Sequence, residues 1–171
     1  MKIGLLSDTH GLIDDAIFHY FKDRDEVWHA GDIGNTEVLD KLKSFKPVRA
    51  VYGNIDNQEI RKELKEVFHV TINGVNILMT HIGGYPPNYN APVKKLIMKV
   101  KPDVFICGHS HILRISRDPQ NDNLIYMNPG ACGNHGFHKV RTIIRFTLDS
   151  GKVINPEVIE LYPRMIKSKA R

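Results

Sequence analysis

Short motifs of histidine and carboxylate residues follow apolar runs of the sequence, and their side chains are of the types that bind metal ions. The motifs read Ser7-Asp8-Thr9-His10, Gly31-Asp32-Ile33-Gly34, Gly53-Asn54-Ile55-Asp56 and Gly108-His109-Ser110-His111, and a lone histidine follows a further apolar run. Together they supply these oxygen and nitrogen donors: Asp8, His10, Asp32, Asn54, His81, His109 and His111. That is more than one tetrahedral metal needs, and it suits two metals that share a carboxylate. Such a pair of metals is suited to the hydrolysis of phosphate esters.

Each motif taken alone has a simpler explanation. Asp8 beside His10 fits a capping carboxylate next to a surface histidine, and Gly31-Asp32 and Gly53-Asn54 fit turns. His109 and His111 are harder to explain in this way, because two imidazoles rarely follow a buried strand so closely. We favour the metal site because all of the simpler explanations must hold at once, in chain order, each at the end of a strand.

The chain has 171 residues, and its length and composition are those of a protein with one domain. We assign this domain to residues 1–164 and expect a basic tail at 165–171. No apolar stretch approaches the ~18 to 20 residues of a membrane span, and the N-terminal apolar run is too short for a signal peptide. We therefore expect a cytoplasmic protein without membrane association, with Cys107 and Cys132 reduced. The net charge of +5 is a weak indication of anionic partners, nucleic acid among them.

Strands and helices alternate through the first half, and strands dominate the second. Helices are expected at 14–22, 36–43 (with Thr36 as N-cap) and 91–101. Strands are expected at 2–7, 26–30, 48–52, 67–72, 75–80, 104–107, 112–117, 124–127, 142–148 and 153–161. We predict an α/β fold, a four-layer αββα sandwich of two mixed β-sheets flanked by helices. The donor motifs then lie at the carboxyl ends of strands, where sites in such sheets form.

The ordered motifs resemble those of the calcineurin-like metallophosphoesterase superfamily, and within it the small YfcE-type phosphodiesterases. That superfamily shows D-x-H, G-D, G-N-H-D or G-N-H-E, a lone His and G-H-x-H. The small group often adds N-P-G, matched here by Asn128-Pro129-Gly130. The resemblance covers residues 1 to about 160. It implies an enzyme, a metal-dependent phosphoric ester hydrolase.

The family's ligand scheme carries over residue by residue. It implies a first metal on Asp8, His10 and His111, a second on Asn54, His81 and His109, and Asp32 as the bridge. The family typically uses manganese, with iron, zinc, nickel or cobalt as alternatives, and mixed nitrogen and oxygen ligands do not choose among them. Coordination lowers the pKa of bound water toward ~7, so a metal-bridging hydroxide is the expected nucleophile for in-line attack on phosphorus.

One position departs from the family. Most members have a histidine after the asparagine of the third motif, where this chain has Ile55, which cannot donate a proton. The small phosphodiesterases also lack that histidine, so Ile55 favours a phosphodiesterase. His135 and His138 follow the N-P-G segment, and we treat them as candidate catalytic residues beside Asp32 and Asn54, or as incidental members of a surface loop.

Other features leave alternatives open. The segment 83–90 is either a surface connection or a rim that stacks Tyr85 or Tyr89 on a substrate ring. The expected partner is a small phosphodiester, and the resemblance is compatible with a homo-oligomer. Two rival functions are a noncatalytic metal-binding scaffold, as in the retromer subunit of this fold, and a metal-dependent nuclease. The intact donor set argues against the scaffold, and the short chain argues against the nuclease.

Overall fold

The computed structural model describes residues 1–163, with side chains up to residue 161. The predicted tail at 165–171 lies outside these residues. In chain order the elements are β1 (Lys2–Leu6), α1 (Asp15–Phe21), β2 (Glu26–His29), α2 (Thr36–Phe45), β3 (Val48–Ala50), α3 (Gln58–Glu63), β4 (Val67–Ile72), β5 (Val75–Thr80), β6 (Gly84–Tyr85), β7 (Asn88–Tyr89), α4 (Ala91–Val100), β8 (Val104–Ile106), β9 (Leu113–Asp118), β10 (Leu124–Pro129), β11 (Val140–Asp149) and β12 (Lys152–Pro163).

Two mixed five-stranded sheets form the centre of the fold. The first has the order β12-β11-β1-β2-β3, with β1, β2 and β3 parallel. The second has the order β4-β5-β8-β10-β9, with β5, β8 and β10 parallel. Parallel neighbours end at the same edge of a sheet, so the loops after β1, β2 and β3, and those after β5 and β8, emerge together.

Apolar side chains fill three interfaces and thereby define four layers. Between the sheets, Trp28 of β2 packs edge-on against Phe68 of β4, with ring centroids 6.1 Å apart. Helices α1, α2 and α3 cover the outer face of the first sheet through residues such as Phe21 and Leu39. Helix α4 covers the second sheet through Val93 and Ile97. The predicted αββα sandwich is confirmed. None of the helices within residues 1–163 is long and apolar enough to span a membrane.

Local sequence explains most of the element boundaries. The strands β4 and β5 are joined by Asn73-Gly74, both with positive φ (48° and 80°), which is the backbone of a two-residue hairpin turn. Helix α2 begins as predicted, but Thr36 is not its N-cap. Asn35 fills that position, and its side chain accepts a hydrogen bond from the amide of Val38.

Two short features were not predicted. Helix α3 has six residues and buries Ile60 alone, so it shows no apolar periodicity. The segment 83–90, predicted as a surface connection or a rim, contains the hairpin β6–β7, which was not predicted. Tyr89 in that hairpin packs on Phe105 and donates its hydroxyl to Asp118 (2.9 Å), so its ring is engaged inside the fold.

Candidate metal centre

The loops that follow the parallel strands bring two groups of ligand atoms together. The first group comprises Asp8, His10 and His111, and the second comprises Asp32, His81 and His109. Within each group the ligand atoms all lie within 4.8 Å of one another. Each of these residues was predicted from the sequence, and the remaining predicted ligand, Asn54, also lies beside the second group.

The first group converges on a buried carboxylate. The Nε2 atom of His111 lies 3.1 Å from Asp8 Oδ1, and it lies 3.4 Å from the Nε2 atom of His10. Within residues 1–163, Asp8 Oδ1 is buried and accepts no hydrogen bond. A buried carboxylate oxygen without a donor is costly, and a cation held between it and the two imidazoles removes that cost.

The second group is also suited to a metal ion, as the orientation of the His81 imidazole indicates. The Nδ1 atom of His81 lies 2.8 Å from the carbonyl oxygen of Ala30, which has only lone pairs, so Nδ1 carries the proton. A ring that binds a metal is neutral, and its Nε2 then presents a lone pair, whereas in the absence of an ion Asp32 favours a second proton on Nε2. That nitrogen lies 3.2 Å from Asp32 Oδ1 and 3.1 Å from Asn54 Oδ1. A lone pair facing two oxygens is the arrangement that a metal ion satisfies, with the carbonyl fixing the tautomer.

Asp32 joins the two groups. Its Oδ2 atom lies 3.7 Å from the Nε2 of His10 in the first group, and its Oδ1 atom lies 3.2 Å from that of His81 in the second. The amide of Ile55 also donates to Asp32 Oδ1 (3.1 Å). The carboxylate is buried and spans the space between the groups, which is the position required of a bridging ligand.

The backbone at the centre is unusual. Asp8, His10, Asp32, His109 and His111 all have positive φ, between 47° and 66°. Non-glycine residues seldom adopt this region, and such strain concentrates at functional sites. The neighbouring glycines make room for the ligands. A Cβ atom at Gly53 would overlap the Asp32 carboxylate.

The charges of the centre shift its pKa values. For His81, burial lowers the pKa, but the hydrogen bond with Asp32 and the charge of Asp8 outweigh it and raise the pKa. For Asp32, burial raises the pKa, but the hydrogen bond and charge of His81 lower it overall. Burial lowers the pKa of His10 despite the nearby carboxylates. Asp32 is therefore held in the charged form that a metal requires.

Two residues behind the ligands fix the loops, and the sequence analysis assigned neither a role. His29 ends β2; its Nε2 donates to Thr9 Oγ1 (2.9 Å), and Thr9 donates to the carbonyl of Ile33. Asp56 accepts from the amides of Gly34 (2.8 Å) and Gly53 (2.7 Å). The sequence signal for Asp56 was its place in the third motif, whereas His29 lies inside a strand and gives no signal.

We expect His29 to make stability fall in acid. Burial lowers its pKa from 6.5 to about 4. Between these values the unfolded chain binds a proton that the native protein does not, so the free energy of unfolding falls as the pH falls through this window, by about 3 kcal/mol. Urea unfolding of metal-free protein between pH 7.5 and 4 measures this free energy. In the His29→Asn variant, the free energy of unfolding should depend less steeply on pH.

The matched control for that measurement is His19→Asn, because His19 is an exposed histidine near the end of α1. This control should keep the pH dependence of the unchanged protein. Parallel pH profiles for the His29 variant and the unchanged protein would contradict the assignment.

An open cavity of about 610 Å³ lies in front of the ligands. Its lining includes Ile55, Ile112 and the segment 135–138, which we call the rim loop. The His135 ring stacks on His10 with centroids 4.6 Å apart, and the His138 ring lies edge-on to His111 at 5.3 Å. The structure thus places both candidate histidines beside the centre.

The two rim-loop histidines differ in their burial and in their hydrogen bonds. His138 is half-buried, and its Nε2 lies 2.9 Å from the carbonyl oxygen of Gly133, to which it donates. His135 is exposed at the cavity. Tyr85 and Tyr89 do not line this cavity, and the predicted stacking of either ring on a substrate stays a prediction.

Comparison with known proteins agrees with this geometry. A metallophosphoesterase of Methanocaldococcus jannaschii, named as probable, is 35% identical over 138 residues, which is 77% of this chain and 68% of that protein. A structure described as a novel archaeal phosphodiesterase has a TM-score of 0.72 at 24% identity, covering 94% of this chain and 100% of the other. Vps29 of Entamoeba histolytica complexed with Zn²⁺ has a TM-score of 0.71 at 17% identity, covering 94% and 99%.

At these identities the structural likenesses concern the fold. The family is shown by the sequence, because residues 1–151 match the calcineurin-like phosphoesterase superfamily domain. The ordered motifs, the mixed double sheet and the two ligand groups agree with that match. This chain belongs to the calcineurin-like phosphoesterase superfamily.

Proposed function

We propose that the protein is a dinuclear metal-dependent phosphodiesterase. The observation that carries this proposal is the position of Asp32, whose two carboxylate oxygens face His10 in one ligand group and His81 in the other. A site for one metal ion does not need a second group of three ligands on the other side of the same carboxylate. The expected substrate is a small phosphodiester.

The geometry of the two groups supports the ligand sets that the resemblance implies. Asp8, His10 and His111 would hold one ion, Asn54, His81 and His109 the other, and Asp32 both. When bound, two divalent ions would supply an activated water for in-line attack and would offset charge that develops on the phosphoryl oxygens. Manganese is our first choice, with iron, zinc, nickel and cobalt as alternatives, because nitrogen and oxygen ligands accept all of them.

The net charge of the centre favours an anionic ester. Asp8 and Asp32 contribute two negative charges, and two divalent ions would more than balance them. Among the described residues, those that line the cavity apart from the ligands include His135, Phe137, Ile112 and Ile55, and no carboxylate other than Asp32 lines it. A monoanionic diester is therefore attracted to the centre and is not repelled at its entrance.

The leaving group needs a proton donor that Ile55 cannot provide. The amide of Ile55 orients Asp32, while its side chain is 46% exposed at the cavity. His135 faces the same cavity and stacks on His10. We assign His135 as the donor and His138, which is tied to Gly133, as the residue that positions the rim loop. A positioned acid contributes typically about 10² to 10⁴-fold.

A noncatalytic scaffold is the second candidate function. It is favoured by apolar side chains beside the centre: Phe137 is fully exposed, and Ile112 is 67% exposed. Exposed apolar residues grouped around one site are typical of a surface that binds a partner. The same side chains also suit an apolar substituent of a diester, so a measurement of turnover separates the two functions.

Metal dependence of ester hydrolysis tests the proposal. Protein stripped with chelator and reloaded with Mn²⁺ should release p-nitrophenolate from bis-p-nitrophenyl phosphate, with kcat/KM at least about tenfold above that for p-nitrophenyl phosphate. Both esters have the same leaving group, and the monoester lacks the second aryl group that the exposed Phe137 and Ile112 can contact. The stripped protein should be inactive. Two bound ions per chain with no release from either ester would favour the scaffold instead.

A further inference from the structure

A second cavity, of about 760 Å³, adjoins the metal centre on the side of α4, and we call it the cleft. Asn54 lines both the cleft and the cavity in front of the ligands, and His81 lines the cleft as well. The cleft therefore opens at two of the proposed metal ligands. Its volume is sufficient for one arm of a small diester.

The walls of the cleft are apolar and its rim is cationic. Val67, Val93 and Leu96 contribute apolar surface. Lys95 and Lys99, both exposed, contribute positive charge from one face of α4, where residues four apart are neighbours. Two ammonium groups placed one helical turn apart can bind the same phosphate.

A third cation at the inner end of the cleft is held in place. The guanidinium of Arg61 donates to the carbonyl of Asp56 (2.7 Å) and to that of Asn54 (3.0 Å), and it stacks on the Tyr52 ring at 4.8 Å. The cleft is also lined by an anion, Glu66, which accepts a hydrogen bond from the Tyr52 hydroxyl (3.4 Å). The lining thus carries three cations and one anion.

We propose that the cleft binds one arm of the diester and that this arm is a nucleoside that ends in a second phosphate. This inference rests on the proposed function, since it names the substrate class of the same centre. The apolar walls accept the flat face of a base, and Lys95 and Lys99 bind the terminal phosphate while the bridging phosphate lies at the metal ligands. A diester without a terminal phosphate leaves the two lysines unused.

Binding to metal-free protein tests the cleft without relying on turnover. Calorimetry at low salt compares the thymidine dinucleotide TpT with pTpT, which differs by one terminal phosphate. We expect pTpT to bind about fivefold more tightly, since exposed charges contribute modestly and are screened by salt. Lys95→Glu/Lys99→Glu should abolish the difference. Lys94→Glu, a change of the same sign on the same helix outside the cleft, should retain it.

Equal affinity of the unchanged protein for TpT and pTpT would overturn the proposal, and so would an equal loss in the Lys94 variant. Turnover of bis-p-nitrophenyl phosphate by the Mn²⁺-loaded protein separates this failure from that of the proposed function. Turnover of that ester without a preference for pTpT refutes the cleft alone, whereas no turnover refutes the function on which the cleft proposal rests.

Discussion

The Asp32→Asn variant is expected to lose at least about a thousandfold in kcat/KM for bis-p-nitrophenyl phosphate and to bind one metal ion per chain in place of two. The carboxylate faces both ligand groups, so its charge holds the two ions at once. An amide keeps the shape but removes the charge and leaves one oxygen to coordinate. Loss of one ion of a two-metal centre removes much of the stabilisation of the transition state.

The substitution is chosen to preserve the fold. Asparagine can still accept the amide hydrogen of Ile55 through its side-chain oxygen. Asp40→Asn on α2 is the matched control, because Asp40 is exposed and lines neither the cavity nor the cleft. Activity and metal content are measured on the same samples, by p-nitrophenolate release and elemental analysis. An Asp32 variant with two bound ions and undiminished turnover would refute the bridging role.

The sequence predicts those parts of the fold in which buried apolar residues recur at short intervals along the chain. Strands β4 and β5 have the predicted bounds, because Asn73-Gly74 marks their turn and apolar residues recur along both strands. The parallel arrangement of β1, β2 and β3 follows from the alternation of strands and helices in the first half. Such patterns depend on neighbours in the chain, so they can be recognised without the structure.

The features that were not predicted are too short to show a pattern, and one of them depends on a contact between distant residues. Helix α3 buries Ile60 alone, and its start is fixed by Asn57, whose side chain accepts from the Ile60 amide. The hairpin that contains Tyr89 is held by a hydrogen bond to Asp118, 29 positions away. Neither feature has enough apolar residues in sequence to produce a period.

The candidate metal ligands could be recognised in the sequence, whereas the contacts that support them could not. Each ligand motif follows a strand, so its side chains were expected at the sheet edge. The positive φ of residues such as Asp8 and His111 is not signalled by side-chain type, since most aspartates and histidines lie outside that region. The hydrogen bonds of His29 and Asp56 join separate loops, and only the folded chain brings their partners together.

The second large effect is expected for the rim loop. His135→Ala should lower kcat for TpT, whose leaving group is an alkoxide, by about a hundredfold, because that oxygen needs a proton as it departs. Turnover of bis-p-nitrophenyl phosphate should change little, since p-nitrophenolate leaves without one. Metal content should stay at two ions per chain, because His135 stacks on His10 and is not itself a proposed ligand. His138→Ala, which removes the contact with Gly133, should affect both substrates alike.

A donor restored at another position in the cavity lining provides a second test of His135. Ile55 and His135 line the same cavity, and Ile55 occupies the position where most of the superfamily has a histidine. Adding Ile55→His to the His135→Ala variant should recover at least about tenfold of the lost TpT turnover, with no gain on the p-nitrophenyl ester. A loss that is equal for both leaving groups, or one that the Ile55→His substitution does not reduce, would mean that His135 acts on the shape of the cavity and not on the proton. Because both substrates use the same metals and the same nucleophile, the difference between them reports protonation of the leaving oxygen alone.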